Sequence, residues 1–161
     1  MKKLCFTLLA LSMPFLSIAG EAKITWKDFN DYHDVHPANE AKRSYHKRVT
    51  KHFEKHISKL AEQLPEGYKL NVTFDDIDLA GDSRMGMQEI RVIKRIYFPK
   101  LTISYALQDK SGVTVSSAEK LVLKDMSFMD RINKELDKSF IYEKQLLSDW
   151  FADQVLIKTN A

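Results

Sequence analysis

Apolar residues recur at intervals of three and four between residues 40 and 64, and this spacing predicts a long helix. The apolar positions are Tyr45, Val49, Phe53, Ile57, Leu60 and Leu64. Such spacing places every apolar side chain on one face of an α-helix. Pro65 and Gly67 then interrupt the pattern, so we expect the helix to end before them.

Alternation of apolar and polar residues predicts strands on both sides of this helix. In chain order, the predicted strands are 24–26, 68–79, 90–98, 101–107 and 113–123. In the second strand the alternation slips at Asp75 and Asp76, as it does at a β-bulge. The turn residues 108–112 join the last two strands, so we predict a β-hairpin there.

Two further helical stretches follow, over residues 128–137 and 141–156. Hairpin-joined strands between helices are typical of an α+β fold, because a parallel α/β fold would alternate strand and helix throughout. We therefore predict an antiparallel sheet of four to five strands. The long N-terminal helix and the C-terminal helices are expected to pack on one face of it.

Residues 1–19 have the pattern of a secretory signal peptide. Two lysines precede an apolar stretch at 4–16, which is too short to span a membrane. Small residues predict cleavage after Ala19, with Ala22 as the alternative. We expect residues 20–161 to form a single α+β domain, periplasmic or secreted, with no membrane span after cleavage.

Cysteine and charge narrow the chemistry of the mature chain. The only cysteine, Cys5, lies inside the predicted signal peptide, whereas a lipoprotein carries its acylated cysteine directly after the signal. Cleavage therefore leaves no disulfide and no thiol nucleophile. The 161 residues include 25 basic and 22 acidic ones, a net charge of +3, and loss of Lys2 and Lys3 leaves 25 − 2 = 23 against 22, or +1. This small excess argues against nucleic acid as a partner.

The long helix carries a basic face opposite its apolar stripe. Its residues are Lys47, Arg48, Lys51, Lys55 and Lys59. Basic amphipathic helices bind anionic surfaces, including phospholipid headgroups and acidic proteins. The alternative is a solvated face whose charge is balanced at a distance by the acidic C-terminal helices.

Four histidines are candidate metal ligands, because neutral imidazole suits zinc, copper and nickel. They are His33, His36, His52 and His56. His52 and His56 are one helical turn apart, but the intervening residues do not match the zinc-protease signature. The alternative is that His52 and His56 are partly buried and hydrogen-bonded. No cofactor is predicted.

A loop at 80–89 has two glycines and two methionines, which is unusual for a solvated segment. With the residues around it, it forms a candidate binding loop: Asp76, Asp78, Gly81, Arg84, Met85, Met87 and Arg91. The methionines favour contact with a partner. The aspartates allow a second interpretation, a carboxylate-based hydrolase with or without a divalent metal. A third is that the aspartates cap the loop and pair with nearby arginines.

Short segments along the mature chain together resemble a family of exported proteobacterial proteins catalogued as domain of unknown function 3016. They are Ile24-Thr25-Trp26, Asp76-Ile77-Asp78-Leu79-Ala80-Gly81, Ile90-Arg91-Val92, Pro99, Glu119-Lys120-Leu121, Tyr142-Glu143-Lys144 and Asp149-Trp150. The resemblance implies export and a domain that spans the mature chain. It implies no catalytic residue, and it does not include the four histidines.

The sequence lacks the serine-hydrolase elbow, the P-loop and the dinucleotide-binding glycine motif. We therefore favour a non-catalytic binding or accessory domain for an envelope protein or an anionic envelope surface. The alternatives that stay open are the carboxylate hydrolase and a histidine-rich metal-binding protein.

Overall fold

A computed structural model gives the structure of the chain and describes residues 20–83, 90–131 and 139–159. The main elements are β1 (Glu21–Trp26), α1 (Lys42–Ala61), β2 (Lys69–Asp78), β3 (Lys100–Gln108), β4 (Thr114–Lys124) and α2 (Ile141–Trp150). The helical path of α2 continues through a π-helical turn (Phe151–Val155) and a 3₁₀ turn (Leu156–Thr159). The predicted signal peptide lies outside the described residues.

The sheet has the order β1-β2-β3-β4, and it is mixed. β2, β3 and β4 are antiparallel neighbours, whereas β1 runs parallel to β2. The prediction of an antiparallel sheet is therefore wrong for β1. The reason is the connection, because α1 carries the chain back along the sheet and so lets β2 start from the same end as β1.

The helix α1 begins two residues later and ends three residues earlier than the spacing predicted. Ala41 occupies the N-cap position and contributes no side-chain hydrogen bond. The apolar stripe is confirmed, since Tyr45, Val49, Phe53 and Ile57 are all buried against the sheet.

The predicted bulge in β2 is confirmed. Pairing with β3 passes from Phe74 opposite Ile103 to Asp76 opposite Thr102, so Asp75 is the extra residue. The insertion keeps the apolar residues on both sides of the bulge pointing into the core.

The predicted strand at 90–98 is wrong. Among the described residues of this segment, only Val92 forms a β-bridge, and its partner is Asp82. The Val92 backbone exchanges both hydrogen bonds with Asp82, at 2.9 and 3.0 Å, while the Tyr97 carbonyl accepts from Gly81. Through Val92 and Tyr97, the segment braces the turn after β2.

The two helices cover one face of the sheet, and the described fold is α+β with two layers. Along β2 and β3 burial alternates strictly on either side of the bulge, with aliphatic and aromatic side chains facing α1 and α2. The predicted helix at 128–137 is a 3₁₀ turn at Phe128–Asp130, and residues 132–138 lie outside the described residues. In the described ranges no helix has the length and hydropathy that crossing a membrane requires.

Candidate functional site

A groove of about 1090 Å³ lies between α1 and α2. We call it the α1–α2 groove. Its cationic lining residues are Lys47, Arg48, Lys51, Lys55 and Lys59 from α1 and Lys144 from α2. The basic face predicted from the sequence is therefore one wall of a groove, and α2 supplies the other wall.

The four lysines that α1 contributes to the α1–α2 groove have no acidic partner among the described residues. Among the residues that the structure describes, no carboxylate lines the groove, and Lys47, Lys51, Lys55 and Lys59 form no ion pair. Arg48 differs, because its Nη2 lies 2.9 Å from Glu40 Oε1. A cleft lined by one sign of charge concentrates its field and attracts counter-ions.

His52 lies in the groove beside Lys144. The distance from Lys144 Nζ to His52 Nδ1 is 3.3 Å, so the ammonium group donates to a neutral imidazole. Burial lowers the pKa of His52, and the positive charges of Lys144, Arg48 and Lys51 lower it further. The histidine is therefore uncharged at neutral pH and carries a proton only in more acidic solution.

His56 is held by the backbone of α2. Its Nε2 lies 2.9 Å from the Lys144 carbonyl oxygen and 2.9 Å from Ser148 Oγ. A carbonyl oxygen only accepts hydrogen bonds, so Nε2 carries the proton and cannot act as a base toward Ser148. Burial also lowers the pKa of His56. The arrangement has the components of a serine–histidine pair without the protonation that catalysis needs.

The other two candidate metal ligands lie in the loop before α1. His36 Nδ1 is 3.0 Å from Asp34 Oδ1, and the His33 backbone N–H donates to Asp76 Oδ1 at 2.8 Å. Within residues 20–83, 90–131 and 139–159, no three side chains of the metal-binding types come together. In the described part of the chain, the four histidines do not converge on one position.

A second cavity of about 460 Å³ adjoins the groove, and Arg48, Ser139 and Ile141 line both. We call it the adjoining pocket. Its aromatic walls are Tyr45, Phe140 and Tyr142.

Arg48 and Phe140 form the boundary between the two cavities. The Arg48 guanidinium lies 5.0 Å from the ring centre of Tyr45 and 5.2 Å from that of Phe140. Phe140 has a φ of 57°, a left-handed backbone conformation that costs a bulky residue roughly 1–2 kcal/mol. Ring contacts with Tyr45, His52 and Phe53 hold it there.

An ion pair fixes the inner wall of the adjoining pocket. Arg91 Nη1 donates to Asp34 Oδ2 at 3.1 Å and to the Gly81 carbonyl at 2.8 Å, and Nη2 donates to Asp34 Oδ1 at 3.2 Å. Burial opposes ionisation of Asp34, but hydrogen bonds and charge from Arg91 outweigh it and lower the pKa of that carboxyl. The pair joins the loop before α1 to the turn after β2.

Glu143 is a buried carboxyl that sequence reasoning missed. Its Oε1 accepts the Ala80 backbone N–H at 2.7 Å, and burial raises its pKa. A signal was present, because Glu143 precedes Leu146, Leu147 and Trp150 by three, four and seven residues and so lies on their buried stripe. A glutamate in such a stripe needs a specific partner.

The predicted binding loop is divided by the structure. Gly81 shapes the turn, with a φ of +84°, and Arg91 is a half-buried cation that pairs with the buried Asp34. Asp76 accepts backbone N–H groups. Asp78 Oδ2 lies 3.8 Å from Lys100 Nζ, and burial raises the pKa of Asp78. Neither aspartate lines the groove or the adjoining pocket. Arg84, Met85 and Met87 lie outside the described residues.

Residues 20–153 match the model of the family described as "Protein of unknown function (DUF3016)". No curated protein and no solved structure matches the chain. Three of the segments that carried the resemblance meet beside the adjoining pocket, through Ala80, Gly81, Arg91 and Glu143.

Proposed function

The chain belongs to the DUF3016 family, and we propose that it is a non-catalytic binding domain for a phosphate-bearing component of the bacterial envelope. The observation that carries the proposal is the α1–α2 groove, in which six cationic side chains from two helices face one another. Among the described residues, no carboxylate pairs with the four lysines of α1 in this set, Lys47, Lys51, Lys55 and Lys59.

Lysine is well suited to this role. An ammonium group is a mobile point charge with three donors, so a row of lysines can follow phosphates at variable spacing. The four lysines of α1 are one helical turn apart and exposed, which supports contact with a ligand carrying more than one phosphate. Such binding weakens as salt rises, because added ions screen exposed charges.

A binding role fits the histidines better than a catalytic one. His56 donates its Nε2 proton to the Lys144 carbonyl, and His52 accepts from the Lys144 ammonium group. His56 Nε2 lies 2.9 Å from Ser148 Oγ but already carries a proton, so it cannot take one from Ser148. Both histidines can instead add positive charge to the groove in acidic solution.

The envelope location is part of the proposal and rests on the sequence of residues 1–19. If that segment is a signal peptide, protein recovered from the periplasmic fraction begins at Gly20 or shortly after. Recovery of the uncleaved chain in the cytoplasmic fraction would contradict the location, whatever the groove binds.

The test is a calorimetric titration of the purified protein with inorganic tripolyphosphate at low ionic strength. Lys51→Glu/Lys55→Glu reverses two charges inside the groove. Lys23→Glu/Lys124→Glu makes the same change in net charge at two exposed positions of β1 and β4. A unit charge at about 4 Å is worth roughly 1 kcal/mol in water, so we expect the groove variant to lose at least about tenfold in affinity.

We expect the control variant to lose much less affinity for tripolyphosphate, because its substituted residues lie outside the groove. Equal losses in the two variants would mean that net charge alone attracts the ligand, and the groove assignment would fail. No measurable binding by the unmodified protein at low salt would end the proposal.

A further inference from the structure

Resting on the proposed function, we infer that the ligand is a phosphorylated saccharide, with phosphate in the α1–α2 groove and an uncharged sugar ring in the adjoining pocket. The two cavities share Arg48, Ser139 and Ile141 in their linings. A ligand of modest length can therefore occupy both by passing over Arg48.

The distribution of charge between the two cavities indicates which half of such a ligand each would bind. In the adjoining pocket each ionic group already has a partner: Arg91 with Asp34, and Arg48 with Glu40. Glu143 accepts the Ala80 N–H, and burial favours its neutral form. A charged ligand group would gain little here. The groove, by contrast, has cations that no described carboxylate balances, so the anionic end belongs there.

The walls of the pocket favour a sugar over a hydrocarbon chain. Its lining includes three residues with rings, Tyr45, Phe140 and Tyr142, and two with polar side chains, Asn39 and Ser139. A sugar offers apolar C–H faces to rings and hydroxyls to polar side chains. Sugar hydroxyls can hydrogen-bond to the polar side chains of the lining, whereas a hydrocarbon chain cannot. The volume of about 460 Å³ lies in the range of small-ligand sites.

The backbone at Phe140 gives independent support. Its left-handed conformation lies at the boundary between the two cavities, and the ring contacts that hold it also fix the edge of the pocket. Sparsely populated backbone conformations persist where the surroundings impose them, and they cluster at ligand sites.

The experiment compares affinities by amide chemical-shift titration of the purified protein. The probes are inorganic phosphate, glucose 1-phosphate, glucosamine 1-phosphate, mannose 6-phosphate, glucose and octyl phosphate. We expect at least one sugar phosphate to bind about tenfold or more tightly than inorganic phosphate, while glucose alone binds weakly. Equal affinity for phosphate and every sugar phosphate would overturn the inference. A gain for octyl phosphate alone would also overturn it, because the pocket would then take a hydrocarbon.

Two variants test whether the extra affinity for a sugar phosphate arises in the adjoining pocket. Tyr142→Ala removes a ring from the wall, and Asn39→Ala removes an exposed polar group from the rim. Each should reduce the extra affinity for the sugar phosphate and leave inorganic phosphate binding unchanged, which also shows that the variant folds. Tyr68→Ala, outside the pocket, should change neither. If both pocket variants keep the full gain, the sugar does not lie there.

The two proposals fail differently. Absence of tripolyphosphate binding would remove the proposed function itself. Tripolyphosphate binding without any advantage of the sugar phosphates over inorganic phosphate would remove only the saccharide and leave an anion site in the groove.

Discussion

Replacing Arg91 by leucine tests the ion pair behind the adjoining pocket. The substitution keeps most of the apolar volume but leaves Asp34 buried, with its side chain only 3% exposed. It also removes the donor shared by the Leu79, Ala80 and Gly81 carbonyls. Removing one partner of a buried ion pair typically costs about 3–5 kcal/mol. His36 still contacts Asp34, so we expect a loss near 3 kcal/mol at pH 7.

Such a loss is large for a domain whose total stability is of the order of 5–15 kcal/mol. The measurement is urea unfolding followed by circular dichroism. The difference in free energy of unfolding is taken from the shift in midpoint, provided that the dependence of that free energy on urea is unchanged. Glu21→Gln is the matched control, because the Glu21–Lys69 pair is exposed on both sides and exposed pairs contribute roughly 0–1 kcal/mol. A loss for Arg91→Leu no larger than that of Glu21→Gln would refute the reasoning.

The same substitution has a pH signature. Arg91 lowers the pKa of Asp34 in the folded protein, so the pair stabilises the fold above the ordinary pKa of aspartate, about 3.9. That contribution is lost as pH falls through the lowered folded pKa. The gap between wild type and Arg91→Leu should therefore shrink in acid. The double variant Asp34→Leu/Arg91→Leu should lose less than the sum of the single variants, because it leaves neither charge unpaired.

Three further predictions concern Glu143, His52 and Gly81. Burial raises the pKa of Glu143 in the folded protein, so protonated Glu143 stabilises the fold below the ordinary glutamate pKa, and this stabilisation is lost as pH rises through the folded pKa. The urea midpoint of Glu143→Gln should therefore rise relative to that of wild type between acid and neutral pH. A constant difference across pH would contradict this. A bound anion favours protonated His52, so calorimetry should find tripolyphosphate affinity rising up to about tenfold from pH 8 to pH 5.5, and His52→Gln should flatten that rise; an unchanged slope would exclude His52 as its source. Gly81→Ala should cost about 1–3 kcal/mol in thermal or urea unfolding, because φ is +84° and the new Cβ would lie 2.8 Å from the Val92 carbonyl oxygen; a neutral substitution would show that the turn relaxes freely.

Local patterns were enough to predict the elements whose cause is local. The apolar spacing of α1, the hairpin of β3 and β4 and the bulge at Asp75 all follow from side-chain periodicity within one segment. The direction of β1 does not, because it depends on where α1 carries the chain. The segment 90–98 has strand-like composition, yet its hydrogen bonds go to the turn after β2.

Only part of the candidate site could be predicted, because only part of it has a local cause. The basic face is a property of α1 alone and is visible in its sequence. The opposite wall is formed by α2, which begins nearly a hundred residues after the start of α1, and α2 contributes only one lysine to the groove, so its sequence shows no basic face. The adjoining pocket needs four separate segments to meet. A buried glutamate on the stripe of α2 was its one local sign.

The parallel pairing of β1 sets an order for the formation of the sheet. Glu21 pairs with Lys69, 48 positions further along the chain, and every other pair in this ladder has the same separation. Synthesis runs from the N-terminus, so β1 has no partner until α1 and most of β2 have been made. The antiparallel neighbours β3 and β4 close over a far shorter loop, and contacts of short sequence separation form sooner. We expect the strand made first to join the sheet last.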